Sequence, residues 1–282
     1  MRTRTRWGLA VFALAVLLVG GIGVAMYHNV GPLPLRETCT ADVGGHHVDV
    51  SPDQARNASL ISAIGVRRGL PARAVSIALA TAYQESKLSN LDHGDRDSLG
   101  LFQQRPSQGW GTAEQVQDPY YATNKFFEAL EQIDGYQTMR ITEAAHKVQR
   151  SGFPEAYQPH AADARALASA LTGYSPGGTF TCVYKTRSAR STRADVVADL
   201  ERGFGGLQVE REVRQDFNVV VGTGPDGQRR GWAIAQYLVA HASRFHVRAV
   251  AVDGKHWKVG TPSKDGWTTA DTKPGRVTVS LG

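Results

Sequence analysis

The sequence predicts an N-terminal transmembrane helix, then a mainly α-helical domain, then a small C-terminal α/β domain. Three observations carry that prediction. Residues 7–27 contain no charge; residues 51–175 repeat apolar side chains at helical spacing; the last eighty residues change to short alternating runs broken by turn dipeptides. The expected boundaries are 1–6 for a cytoplasmic tail, 7–27 for the anchor and 28–50 for a stalk. A helical domain over 51–175, a linker over 176–203 and an accessory domain over 204–282 follow. A chain of 282 residues suits one large or two modest domains, and its 21% charged and 41% hydrophobic content describes a globular protein.

The anchor rests on length and flanks. "WGLAVFALAVLLVGGIGVAMY" is about the ~20 residues a bilayer-spanning helix requires. Arg2, Arg4 and Arg6 precede it, which keeps the N-terminus inside and the body of the chain extracytoplasmic. A cleaved signal peptide is the alternative, with "GIGVA" as its cutting site, although its apolar core is normally only ~7–15 residues. No second long apolar run exists, so the chain crosses once and makes no solute pathway by itself. The only cysteines, Cys39 and Cys182, lie beyond the span, where a disulfide is the expectation and two free thiols the alternative. Such a bridge closes a loop of ~140 residues, which chain entropy values at about 4–5 kcal/mol. Net charge is +6, and three of those charges precede the span; the exported part is mildly basic, compatible with anionic wall polymers or with simple solubility.

Each helix has a start signal. Ser51, Pro52 and Gln54 form a capping box with proline at the first helical position, and Ala55, Ala58, Ile61 and Ile64 supply the apolar stripe. Pro71 opens the next, "PARAVSIALATAYQES", with Ala74, Ile77, Ala78, Thr81 and Glu85 on one face. Turn chemistry follows in "KLSNLDHGDRDSLG", then helices over 119–133, 141–150 and 160–172. Residues 176–203 read as a linker or equally a solvated loop. In the C-terminal part, "FNVVVGT" is a strand, "GWAIAQYLVAHASRF" a helix, "VRAVAV" and "KHWKV" a hairpin, and "RVTVSL" a closing strand.

Glu85 stands out. A carboxylate in the last turn of a helix opposes the helix dipole, and this one shares its face with apolar residues. A buried salt-bridge partner and a catalytic acid are both consistent with that. The neighbouring residues favour chemistry on sugars: Gln103, Gln104 and Arg105 offer amide and guanidinium groups to hydroxyls and acetamides, and Tyr83 and Trp110 offer rings to pyranose faces.

The alanine-rich helix ending in "ES", with "GLFQ" placing Gln103 eighteen residues after Glu85, resembles the soluble lytic transglycosylase and goose-type lysozyme superfamily. The resemblance covers about 51–175, with its specific part over 71–125, and implies a lysozyme-like domain acting on peptidoglycan glycan strands. It implies that Glu85 protonates the bond between N-acetylmuramic acid and N-acetylglucosamine, with burial among Ile77, Ala78 and Thr81 holding the proton. The same group then serves as base toward water, giving hydrolysis, or toward the C6 hydroxyl, giving a 1,6-anhydro product. Gln103 matches the signature glutamine, and Ser98 matches the polar loop position that holds an acetamide or the acid. The family's "AYNAG" stretch is replaced by "AAHKVQRSG", which makes Tyr157 the candidate for its tyrosine. A second carboxylate is carried by Asp97, or less readily Asp95, unless "DHGDRDS" is simply a turn.

Other signals carry less. "DHGDRDS" lacks calcium-loop spacing, and adjacent His46 and His47 lack a third partner, so no metal and no cofactor are expected. Trp232, Trp257 and Trp267 are core residues or a sugar-stacking surface. No nucleic-acid partner is expected; the membrane is met through the single N-terminal helix. The sequence therefore predicts a membrane-anchored wall-cleaving enzyme. A non-catalytic glycan-binding scaffold with a degenerate cleft is the alternative.

Overall fold

Gly44 and Gly45, with φ of 60° and 80°, reverse the chain between two strands, β1 (Thr38–Val43) and β2 (His46–Val50). Positive φ at both central residues is what a two-residue hairpin requires, and glycine adopts it without steric cost. The computed structural model describes residues 37–184, 191–260 and 266–282. The expected transmembrane stretch, 7–27, lies outside them; among the described residues no helix is long and apolar enough to cross a membrane.

Five helices build the body above this hairpin. They are α1 (Pro52–Arg67), α2 (Ala72–Ser86), the short α3 (Ala113–Gln117), α4 (Pro119–Glu131) and α5 (Ile141–Gln149). α6 (Ala161–Leu171) then runs against α2 and returns to the hairpin. Ser51 and Gln54 close a reciprocal capping box on α1, as the sequence predicts. α2 is buried from Ala74 to Ala82 on every face, because its alanines let α6, α5, α1 and α4 approach closely.

β3 (Phe180–Val183) pairs antiparallel with β1 and completes a three-stranded sheet in the order β2-β1-β3. Its register sets Cys39 opposite Cys182, and a disulfide joins them, with Cα atoms 3.9 Å apart. The expected bridge is present, joining segments 143 residues apart.

α7 (Arg193–Phe204) leads to β4 (Gln208–Arg211) and β5 (Phe217–Val220), then α8 (Pro225–Ala240) and the single turn α9 (Ala242–Phe245). β6 (Val247–Val252), β7 (Lys255–Lys258), β8 (Trp267–Thr269) and β9 (Arg276–Leu281) complete an antiparallel sheet in the order β4-β5-β9-β6-β7-β8. α8 is buried from Gly231 to Ala240 because it packs on two sides at once: against β6 and β9, and against α1, α6 and β3.

That arrangement corrects the predicted fold class. The segment from Glu37 to Gly282 is one compact α+β unit holding two antiparallel sheets, rather than a mainly α, lysozyme-like domain with a separate small α/β domain. Residues read as stalk (38–50) and as linker (180–183) are the strands of the first sheet. α8 supplies one core to both halves. A polar lock reinforces the junction: buried Asp199 of α7 accepts from Tyr120 Oη of α4 at 3.0 Å and from Tyr237 Oη of α8. Burial, then the Asp199 charge, push the Tyr120 phenol up to about 12, which keeps it a donor. Trp232 and Trp257 are core, both almost wholly buried, and Trp267 meets Trp232 edge-on at 5.1 Å with its Nε1 donating to Phe180 O. All three tryptophans are therefore core residues.

Candidate functional site

The "ES" dipeptide ends α2 by a glycine-free stop. Lys87 takes the left-handed conformation at φ 52°, Leu88 follows at 58°, and the Leu88 amide donates back to Ala82 O. Asn57 and Gln54 of α1 donate to the carbonyls of Leu88 and Lys87, which holds both residues in that costly backbone region. Ser86 then bridges two elements: its Oγ, a single hydroxyl donor, lies 2.9 Å from Ala82 O and 2.8 Å from Leu101 O. The serine beside the candidate acid thus ties the helix end to the "GLFQ" turn. Gln149 of α5 ties the same turn from the other side, donating to Phe102 O at 2.8 Å. The isolated bridges Leu91–Gly100 and Leu99–Gln104 fold "LDHGDRDSLGLFQQ" into a short ribbon.

Glu85 is half-buried at this junction. Tyr157, only 1% exposed, donates from Oη to Glu85 Oε1 at 2.8 Å. Burial first, then the charge of Glu85, drive the Tyr157 phenol well above its ordinary range, so it remains a neutral donor. The other oxygen, Oε2, receives no protein donor among the described residues. The half-buried Tyr83 ring lies 4.7 Å from that of His160, whose Nε2 is 2.9 Å from Gln84 Oε1. Burial lowers the proton affinity of His160, with Asp163 opposing.

Gln103, Arg105 and Trp110 come together along a groove of about 810 Å³, facing Lys125, Gln149 and Arg150 from α4 and the end of α5. Glu85 is not among its lining residues. Gln103 holds φ 47° and donates from Nε2 to His93 O and Gly100 O, both at 3.3 Å. A side-chain carbon on Gly94 would lie 2.7 Å from the backbone carbonyl of Ser98 and would displace the Gln103 amide, so the loop passes there only as glycine.

Two predicted contacts lie elsewhere. Gln104 is 1% exposed, with Nε2 donating to Ala122 O at 3.1 Å, and braces the turn against α4 instead of facing a ligand. Ser98, within the ribbon itself, is 7% exposed. The chain turns back between the bridged Leu99 and Gln104 with Gln103 at φ 47°, so Gln104 is turned inward to Ala122 O while Gln103 lines the groove.

Asp97 is held by three donors: Arg105 Nε at 2.9 Å, the Ser107 amide at 2.7 Å and Ser107 Oγ at 2.9 Å. The Ser107 amide, then Arg105 and the Ser107 hydroxyl, keep its carboxyl far below the usual range. It is a fixed anion that clamps the loop to Arg105. Asp95 is exposed, with Arg96 at 4.0 Å. Sequence reasoning missed Ser86, Gln149, Ser107 and His160; of these only Ser86, inside the motif itself, carried a readable signal. Among the described residues no three His, Cys, Asp or Glu side chains gather as a metal site.

No protein-family model matches the chain, and no curated protein matches it.

Proposed function

We propose that the protein is an extracytoplasmic peptidoglycan glycosidase, a lytic transglycosylase or N-acetylmuramidase, in which Glu85 is the general acid and base. The observation that carries this reading is the Tyr157–Glu85 hydrogen bond at the helix end that Ser86 pins to the "GLFQ" turn. A fixed carboxyl with one oxygen engaged by a neutral phenol leaves the other to meet a glycosidic oxygen. Proton delivery from Oε2 would cleave the bond between N-acetylmuramic acid and N-acetylglucosamine, and the resulting carboxylate would take a proton from the incoming hydroxyl. Gln103, Arg105 and Trp110 would supply polar and aromatic contacts for sugars farther along the strand, in a groove that Glu85 itself does not line.

Asp97 supports a one-carboxylate mechanism. With both oxygens engaged by Arg105 and Ser107, it serves as a positioning residue. Attack by the muramic acid C6 hydroxyl, giving a 1,6-anhydro end, needs no second carboxylate to activate water. The disulfide supports an extracytoplasmic location. Zymography on purified cell wall tests the proposal by comparing residues 36–282 with the Glu85→Gln variant. The parent clears the wall and the variant does not; equal clearing by both removes Glu85 from the mechanism. Binding to wall without clearing by either leaves the scaffold reading. Mass spectrometry of released muropeptides separates anhydro from reducing ends.

A further inference from the structure

The groove and Glu85 are separate features, and one stretch of chain joins them. Gln149 and Arg150 line the groove, and the chain then runs on to Tyr157, which donates to Glu85 Oε1 at 2.8 Å. Midway along that stretch stands Phe153, 78% exposed, the most exposed large hydrophobic side chain among the described residues. Residues 153–156 form a turn in which the Ala156 amide donates to Phe153 O at 3.2 Å, with Pro154 where its fixed φ is favoured. Such a turn keeps its end Cα atoms within ~7 Å, so the Phe153 backbone lies within ~11 Å of that of Tyr157.

The exposure is built into the loop. Ser151 Oγ accepts from the Phe153 amide at 3.1 Å, and Thr142 Oγ1 donates to Pro154 O. Arg140 holds Glu155 through two hydrogen bonds, at 3.0 and 2.8 Å. The neighbours are tied down, while the Phe153 ring meets no other ring and no cation among the described residues. Tyr174, also exposed, differs: its ring faces the Arg229 guanidinium at 4.9 Å. An apolar ring held in water is unfavourable, and a partner that covers it recovers the loss. The surroundings select the partner. Arg150 and Glu155 flank the ring in sequence, and the other exposed large hydrophobics of the described residues, Tyr174 and Val213, belong to the end of α6 and the β4–β5 turn. A membrane or a protein surface is met by a contiguous apolar patch. A pyranose presents one apolar C–H face rimmed by hydroxyls, and a single aromatic ring among polar groups matches it.

We propose that Phe153 is a sugar-binding residue: one N-acetylated pyranose of a glycan strand stacks on its ring as the strand passes from the groove to Glu85. The assignment rests on the reading of Glu85 and the groove as one glycan site, and it adds the contact that joins them.

Co-sedimentation with purified cell wall tests it on residues 36–282, which hold the whole compact unit, in the Glu85→Gln background so that the wall is not cut. Phe153→Ala weakens wall binding about 10-fold, as expected for uncovering one face of a phenylalanine, and Phe153→Trp retains it. With Glu85 intact, the same alanine variant raises KM on soluble glycan fragments about as much and leaves kcat within about threefold. The ring is on the surface, so both variants keep the fold, and an unchanged melting temperature checks that. Wall binding that Phe153→Ala leaves unchanged overturns the proposal, as does absence of wall binding in the parent. A loss confined to binding of phosphatidylglycerol vesicles or to self-association also overturns it, assigning the ring to a membrane or to a second copy of the chain. Phe153-dependent wall binding without clearing by the Glu85 protein removes the Glu85 chemistry and keeps the stacking; clearing with KM unmoved by Phe153→Ala does the reverse.

Discussion

Replacing both cysteines by alanine removes the most easily valued contact in the molecule. Cys39 and Cys182 face one another in the β1–β3 ladder and are 143 residues apart in sequence. Closing a loop of that length takes about 5 kcal/mol of entropy from the unfolded chain. A typical domain is stable by only about 5–15 kcal/mol, so Cys39→Ala/Cys182→Ala lies near the threshold of folding. Most native contacts around the bridge persist: the variant loses the weak Cys39 Sγ–Tyr184 Oη contact at 3.4 Å, but β1 keeps its ladders to β2 and β3, and Tyr184 Oη keeps its bond to Ala240 O at 2.7 Å. The effect is therefore carried by the unfolded state. Urea unfolding followed by far-ultraviolet circular dichroism measures it directly. With a slope of about 2.5 kcal/mol per M, the midpoint falls by about 2 M. The slope itself rises, because the unlinked denatured chain exposes more surface. A midpoint shift under about 0.3 M at unchanged slope would refute the loop-entropy account.

Tyr157→Phe keeps the buried ring and removes the hydrogen bond to Glu85; wall-cleaving kcat falls about 10–100-fold while the melting temperature stays within a few degrees. Asp97→Asn, read as kcat against KM on soluble glycan fragments, raises KM several-fold and leaves kcat within about threefold, whereas an Asp97 acting as base loses 100-fold or more in kcat. His241, fully buried and stacked 4.0 Å from Tyr237, is pushed down to about 4, chiefly by burial, with Asp199 opposing and Arg244 and Arg56 adding. The unfolded imidazole takes its proton near 6.5, so stability declines by about 3 kcal/mol as pH falls from 6.5 to 4 and levels off below. His241→Phe keeps the stack, and urea midpoints across that range lose this part of the slope. Ending the chain at residue 203 strips α8 from α1 and α6; the product aggregates or binds a hydrophobic dye, and a soluble, cooperatively unfolding 37–203 fragment counts against a single shared core.

The helices of the body were legible because their signals are local. Capping at Ser51, proline at 52 and 71, and the stripe through Ile61 and Ile64 depend on neighbours within four residues, and α1 and α2 begin where those signals stand. β5, β6, β7, β9 and α8 from Gly231 onward were legible for the same reason; the short β4 and β8 were not, and "GPDG", which reads as a turn, forms the start of α8. The first sheet was not. Its strands are five, six and four residues long, and β3 is contributed from 130 residues beyond β2. Their alternation is blunted by polar residues on the exposed face, and only the two glycines at 44 and 45 announce a hairpin. At the site, Glu85, Gln103, Arg105 and Trp110 were legible as residue types. That Gln104 turns inward and Asp97 is clamped depends on ribbon geometry set by partners across the loop.

The division into two domains failed on α8, and the reason lies in its composition. A helix on the surface of a small module shows one polar face, but the run from Gly231 to Ala240 offers only Gln236 as a strongly polar side chain. Such a helix needs neighbours all round, and six short strands cover only one side of it. The other side must be met by the helical body, which it is, through α1, α6 and β3. The same packing fixes α1 against α4 through Arg67 and Arg68, both donating to Asn124, and α4 forms one wall of the groove beside Gln103. The C-terminal sheet therefore acts on the candidate site through the core: by holding α8 it holds α1, and by holding α1 it fixes the two side-chain amides, of Gln54 and Asn57, that donate to Lys87 O and Leu88 O and keep those residues in their left-handed turn beside Glu85.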